Sequence, residues 1–124
     1  MKKIITSKNA PTPIGPYSHA VLSGNTLYIS GQVAKKASGE MMLQDIRTET
    51  TQVMENIKAI LEEAGMNLSH IVKTTIFLKD LNHFSAVNET YGSFFTGDYP
   101  ARETVQVSRL PLDVNVEISV IAVK

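Results

Sequence analysis

Two charged side chains stand inside the apolar stretch YPARETVQVSRLPLDVNVEISV, Tyr99 to Val120: Arg102 opens one strand-like segment, and Glu117 lies between Val116 and Ile118 in the next. A guanidinium is a planar fork of N–H donors that fits a carboxylate, and a carboxyl group exchanges a proton; the two can grip a small acid and act on it. The same two residues can equally be a cross-strand ion pair, or two solvated charges. Side chains alternate along a strand, so Arg102, Thr104, Gln106 and Ser108 share one side, and Asn115, Glu117 and Ser119 share one side of the strand that follows. Both polar rows are expected to line the same side of one sheet. A hairpin centred on Arg109-Leu110 brings the charges opposite each other. One centred on Pro111-Leu112, where Leu-Pro-Leu-Asp has turn chemistry, offsets them by about 13 Å at ~3.3 Å per residue. The second register is favoured; in it the two unpaired charges either grip a small ligand from two ends of one cleft or stand as solvated charges.

Other candidates carry weaker signals. Tyr17, in GPYS, follows a proline-rich loop and suits a fixed aromatic lid, or plain packing. Ser30-Gly31 ends a strand where a glycine lets a ligand approach backbone N–H groups, or marks an ordinary bulge. Asn88 lies beside the apolar stripe of a helix, next to Val87 and Tyr91, and asks for a partner. His19, His70 and His83 have neither the spacing nor the company of metal ligands. With no cysteine, disulfides, thiolate nucleophiles and Cys-ligated metals are excluded. No P-loop, Gly-rich dinucleotide loop, GxSxG or carboxylate dyad is present.

These residues must be positioned by a single domain, residues 1–124. Twelve basic and twelve acidic residues cancel, and the basic ones are scattered, which weighs against a nucleic-acid or anionic-membrane partner. The start, MKKIITSKNAPTPIGPY, has no apolar run of signal-peptide length, and no segment approaches the ~20 apolar residues of a membrane span. A cytoplasmic protein is the expectation.

The first sixteen residues, with Pro11, Pro13 and Pro16, read as extended or looped. Ala20–Leu22 and Thr26–Ser30 flank Gly24-Asn25 as a hairpin. Steps of three, four and seven among Ile46, Val53, Met54, Ile57, Ile60, Leu61 and Ala64 predict a helix, capped by Asp45 and stopped by Gly65. IVKTTIFLKD predicts a buried central strand, with Val72, Ile76 and Leu78 on one side and Ile71 and Phe77 on the other. A second helix carries Phe84, Val87, Tyr91, Phe94 and Phe95 on one side, with Asn82 as cap and Gly97 as stop. The order β-β-(short β)-α-β-α-β-β predicts an α+β fold: a mixed β-sheet with two helices on one face. The other face keeps apolar side chains and wants a partner, most simply a second copy.

The blocks PIGPYSHAV, LYISGQV, NIKAILEEAG, IVKTTIFLKDL, VNETYGSFF and YPARETVQVSRLPLDVNVEISV, in this order over nearly the whole chain, resemble the RidA (YjgF) family of reactive imine/enamine deaminases. The resemblance implies a chorismate-mutase-like subunit, a homotrimer with sites between subunits, and no cofactor or metal. It implies hydrolysis of 2-imino acids or their enamine tautomers, such as 2-aminoacrylate, 2-iminopropanoate and 2-iminobutanoate, to 2-keto acids and ammonia. Such compounds are by-products of pyridoxal-phosphate enzymes, so the role would be control of metabolite damage. Carried over by position, Arg102 would hold the substrate carboxylate and Glu117 would activate water or bond the imine nitrogen. Ser30, Gly31 and Thr104 would line the pocket, with Asn88 nearby and Tyr17 closing it from the adjacent subunit. Many members have Cys at the position of Thr104 and a small residue at that of Glu103. Regulatory carboxylate sensing, or RNA cleavage and inhibition of translation, are the other roles the resemblance carries.

Overall fold

In the computed structural model, which covers residues 1–124, helix α1 (Ile46–Glu63) starts and stops where its capping residues dictate. The Asp45 carboxylate accepts the Thr48 N–H at 2.8 Å and its hydroxyl at 2.9 Å, and Gly65 leaves the helix with φ +73°. Its inward face buries Val53, Met54, Ile57, Ile60 and Leu61 completely, as the spacing requires. Helix α2 (Phe84–Gly92) is shorter than its apolar pattern suggests. Asn82 does not cap it. Asp80 instead accepts the Asn82 N–H at 2.9 Å, capping a 3₁₀ turn over Leu81–His83 that feeds the helix. At the other end the Phe94 and Phe95 N–H groups donate to the carbonyls of Tyr91 and Gly92. These tighter bonds end the helix before Gly97 is reached.

Six strands form one mixed sheet: β1 (Lys2–Ile5), β2 (Ala20–Ser23), β3 (Thr26–Gln32), β4 (Ile71–Leu78), β5 (Ala101–Gln106) and β6 (Val116–Val123). Their spatial order is β1-β2-β3-β6-β4-β5. The fold is α+β, as expected, with two differences at the start. A strand, β1, precedes the prolines and pairs with β2, and the short third strand shrinks to one bridge, Lys35 to Met41.

The larger correction concerns the last two strands, which are not a hairpin. β5 runs parallel to β4, and β4 is antiparallel to β6, so β4 lies between them. The reason is local. β4 is apolar enough to need a neighbour on both edges; the β4-α2-β5 crossover supplies one and the returning β6 the other. The connection passes the end of β4, where the Val107 N–H donates to the Leu78 carbonyl and the Lys79 N–H to that of Asn115.

One sheet face packs under α1 and α2 and holds Thr74, Ile76 and Leu78 of β4 with Val116, Ile118, Val120 and Ala122 of β6, all buried. The open face carries Thr75 and Phe77 of β4, Val105 of β5, and Glu117, Ser119, Ile121 and Val123 of β6. A register shift between Ile71 and Lys73 corrects the reading of β4: it sends Ile71 into the core and leaves Val72 exposed. No helix is long and apolar enough to cross a membrane.

Candidate functional site

Arg102 stands near the start of β5, opposite Thr74 of β4, and so on the helix-covered face. Its guanidinium carbon lies 5.3 Å from the ring centre of Tyr91 and 5.8 Å from that of Phe84, both on α2. The Tyr91 ring is itself fixed, its hydroxyl donating to Thr74 Oγ1 at 2.9 Å in the core. Burial pushes the Tyr91 phenol above its usual range. Aromatic faces hold the cation without neutralising it. None of the chain's five ion pairs includes Arg102, and its N–H groups have no acceptor in the protein. It borders a cleft of about 370 Å³ with Asn88, Tyr91, Gly92, Tyr99 and Pro100. An unpaired, part-buried guanidinium at a cleft is a receptor for a planar anion.

Glu117 presents the complementary case. It projects from β6 on the open face, paired in register with Phe77, and makes no ion pair or hydrogen bond. Burial raises its pKa above the usual carboxylate value. The carboxylate lies across Gly31. A Cβ at that position would stand 2.5 Å from Glu117 Oε2 and 2.8 Å from its carboxyl carbon, so only glycine leaves it room. Gly31 sits at a bulge of β3, where pairing with β6 shifts between Ile29 and Gln32. Ser30 beside it is already engaged, its Oγ donating to the Ser18 carbonyl at 2.6 Å and its N–H to that of His19 at 2.9 Å. These bonds tie the loop bearing Tyr17 to β3. A cleft of about 380 Å³ results, lined by Ile14, Tyr17, Ser30, Gly31, Val33, Pro111 and Glu117.

The expected site residues therefore fall into two groups. Asn88 and Arg102 border the first cleft; Tyr17, Ser30, Gly31 and Glu117 line the second. Within one chain the groups do not meet. Arg102 aligns with Thr74 and Glu117 with Phe77, so they stand on opposite sheet faces, roughly 14 Å apart at ~3.3 Å rise and ~4.8 Å strand spacing. The expectation that both polar rows share one side fails because β4 intervenes and its partners at Thr74 and Phe77 differ in parity. Tyr17 likewise shares its cleft with Ser30 and Gly31 of its own chain. Asn88 is exposed on α2 without a partner, rather than set into the apolar stripe. Thr104 shares the face of Arg102 but borders neither cleft. Glu103 points to the open face, where it accepts the Thr75 hydroxyl at 2.8 Å and meets Lys73 at 3.1 Å; the Thr75 bond first, and then Lys73, lower its pKa.

Tyr91 and Tyr99 complete the arginine cleft, and Phe84 flanks the guanidinium from outside its lining. The two rings on α2 read from sequence as core stripe, and their second face against the cation had no sequence signal. Tyr99, edge-on to Phe95 at 6.2 Å, follows Asp98 in a left-handed conformation (φ +47°) and stands exposed at the cleft's rim.

The geometry can be set beside known proteins. The family model described as "Endoribonuclease L-PSP" matches residues 7–124. A RutC family protein of Pyrococcus horikoshii is 51% identical over 125 residues, covering 100% of this chain and 99% of its own. The 2-iminobutanoate/2-iminopropanoate deaminase of Salmonella typhimurium is 46% identical over 127 residues, with 100% and 99% covered. Among solved structures, the Rid family protein YyfA of Yersinia pestis superposes with a TM-score of 0.97 at 46% identity, covering 100% of both chains. Escherichia coli TdcF with bound serine has a TM-score of 0.94 at 42% identity, covering 98% of each.

Proposed function

We propose, from the premise that this chain belongs to the endoribonuclease L-PSP family, which includes its RutC and Rid relatives, that it hydrolyses 2-imino acids and their enamine tautomers to 2-keto acids and ammonia. The observation that carries the reading is the Arg102 guanidinium, held between two aromatic rings with no carboxylate partner of its own. A fixed cation without a counter-ion selects a small acid. The deaminases among the relatives and the serine bound by TdcF fit that selection.

Glu117 supplies the second function. An imine carbon is already electrophilic, so hydrolysis needs an oriented water and one group to carry protons. The Glu117 carboxylate takes a proton from water as its oxygen bonds to C2. The proton passes to the nitrogen to give a tetrahedral adduct bearing OH and NH2 on C2. Glu117 then moves the hydroxyl proton to the same nitrogen, and the C2–N bond breaks to release ammonia as the carbonyl forms. Desolvation makes the group a better base than a surface glutamate, and Gly31 gives it space. Because one chain holds Arg102 and Glu117 on opposite faces, the working site joins the arginine cleft of one copy to the glutamate cleft of the next. A cyclic homotrimer repeats that contact and covers the apolar open faces. Tyr17 then closes the site from the glutamate side, and Asn88 offers its amide at the arginine rim.

The family description names RNA cleavage. Balanced charge without a basic stripe gives RNA phosphates little to hold, so imine hydrolysis is the better supported activity. The test generates 2-aminoacrylate in situ with a dehydratase and follows loss of the imine. Wild type should outpace buffer, and Arg102→Ala should lower kcat/KM by roughly a hundredfold, as expected for a lost charge-assisted clamp. Equal rates for wild type and Arg102→Ala would overturn the reading.

A further inference from the structure

Two buried polar atoms have no hydrogen-bond partner: Nδ1 of His83 and Oγ1 of Thr104. An unsatisfied buried polar atom is unfavourable, and most such atoms prove to hold water or serve a site. The segments that carry them are joined by contacts on either side. The Leu81 N–H donates to Gln106 Oε1 at 2.8 Å, joining the 3₁₀ turn to the end of β5. Phe84 stacks on Arg102, joining the first turn of α2 to the start of β5. Between Leu81 and Phe84 lies His83; between Gln106 and Arg102, on the same face of β5, lies Thr104. His83 and Thr104 thus each lie between the same two contacts along their own segments, and the two unpartnered atoms do not bond each other directly.

We propose that His83 and Thr104 share one enclosed water and act together as positioning residues for Arg102. A water can donate to the imidazole nitrogen while accepting the threonine hydroxyl, satisfying both atoms at once. The bridge then fixes the height of the α2 start over β5, and with it the stacking of Phe84 on the guanidinium. Neither residue touches the substrate. This inference rests on the reading of Arg102 as a carboxylate clamp.

Two measurements test it. A high-resolution crystal structure should show a single water within about 3 Å of both atoms. Calorimetric binding of 2-ketobutanoate, a stand-in for the carboxylate end of the substrate, should weaken roughly fivefold in Thr104→Val, the loss of one hydrogen bond. Thr104→Ser, which restores the hydroxyl, should bind like wild type. His83→Phe should weaken binding to a similar extent, and the double variant no further than either single one. A purely structural role would lower Tm and leave the affinity of the folded variants unchanged. A crystal structure without the bridging water, or Thr104→Val binding as tightly as wild type, overturns the proposal. Failure of the clamp reading itself looks different: wild type then binds no 2-ketobutanoate, and the crystallographic water alone decides this inference.

Discussion

Glu117 is a half-buried carboxylate without a partner, and that lowers the stability of the fold. Desolvation raises its pKa above 4.5, so its ionised form is disfavoured in the folded state relative to the unfolded one. The sign follows from linkage. Stability from this group is complete below about pH 4.5 and falls as pH rises through the raised folded value. Glu117→Gln removes that penalty while keeping size. It should raise Tm at pH 7, and the difference from wild type should vanish near pH 4. In the imine assay the same variant should lose turnover while binding 2-ketobutanoate nearly as well, because the role proposed for the carboxylate is to carry the proton and not to grip the substrate. A Tm that falls at pH 7 would show that the carboxylate has a partner. Both Arg102 and Glu117 were legible in the sequence as charges inside apolar strands. The aromatic faces under the first and the glycine floor under the second were not, since both depend on pairing between distant segments.

Among the elements, α1 and β6 are joined by a group that composition alone conceals. Glu49, in the first turn of α1, is fully buried. Its carboxylate accepts the Asn115 N–H at 2.8 Å, the Asn115 side-chain amide at 2.8 Å and the Val116 N–H at 3.1 Å. It thus pins the entry of β6 two residues before Glu117. Glu49→Ala leaves those donors buried and should cost about 3 kcal/mol, read as a shift in the denaturant midpoint. A change below roughly 0.5 kcal/mol, the size of an ordinary surface substitution, would contradict the geometry. Helix α1, β4 and β6 were readable because their apolar residues recur with one clear period. The hairpin reading of β5 and β6 failed for a different reason. Short sequence distance favours adjacency, but β4 demands two neighbours and takes both. The bulge at Val72 was likewise invisible, because one extra residue changes a strand's faces without changing its composition.

For the whole molecule, the sheet separates the two groups that the proposed chemistry must join. The arginine cleft and the glutamate cleft open on opposite faces, and the glutamate's own face carries Phe77, Val105, Ile121 and Val123 uncovered. The apolar open face was foreseen from alternation in the last strand. That Glu117 lies on this face and Arg102 on the other was not, because it follows from strand order. On the proposed function, two differently damaged copies should complement each other. Arg102→Ala and Glu117→Gln should each be nearly inactive alone. Unfolded together in equal amounts and refolded, they should regain about a quarter of wild-type imine hydrolysis, because a quarter of the contacts in a random cyclic assembly pair an intact arginine with an intact glutamate. No recovery in the mixed assemblies, with both variants folded and associated, would mean that the two residues do not serve one shared site.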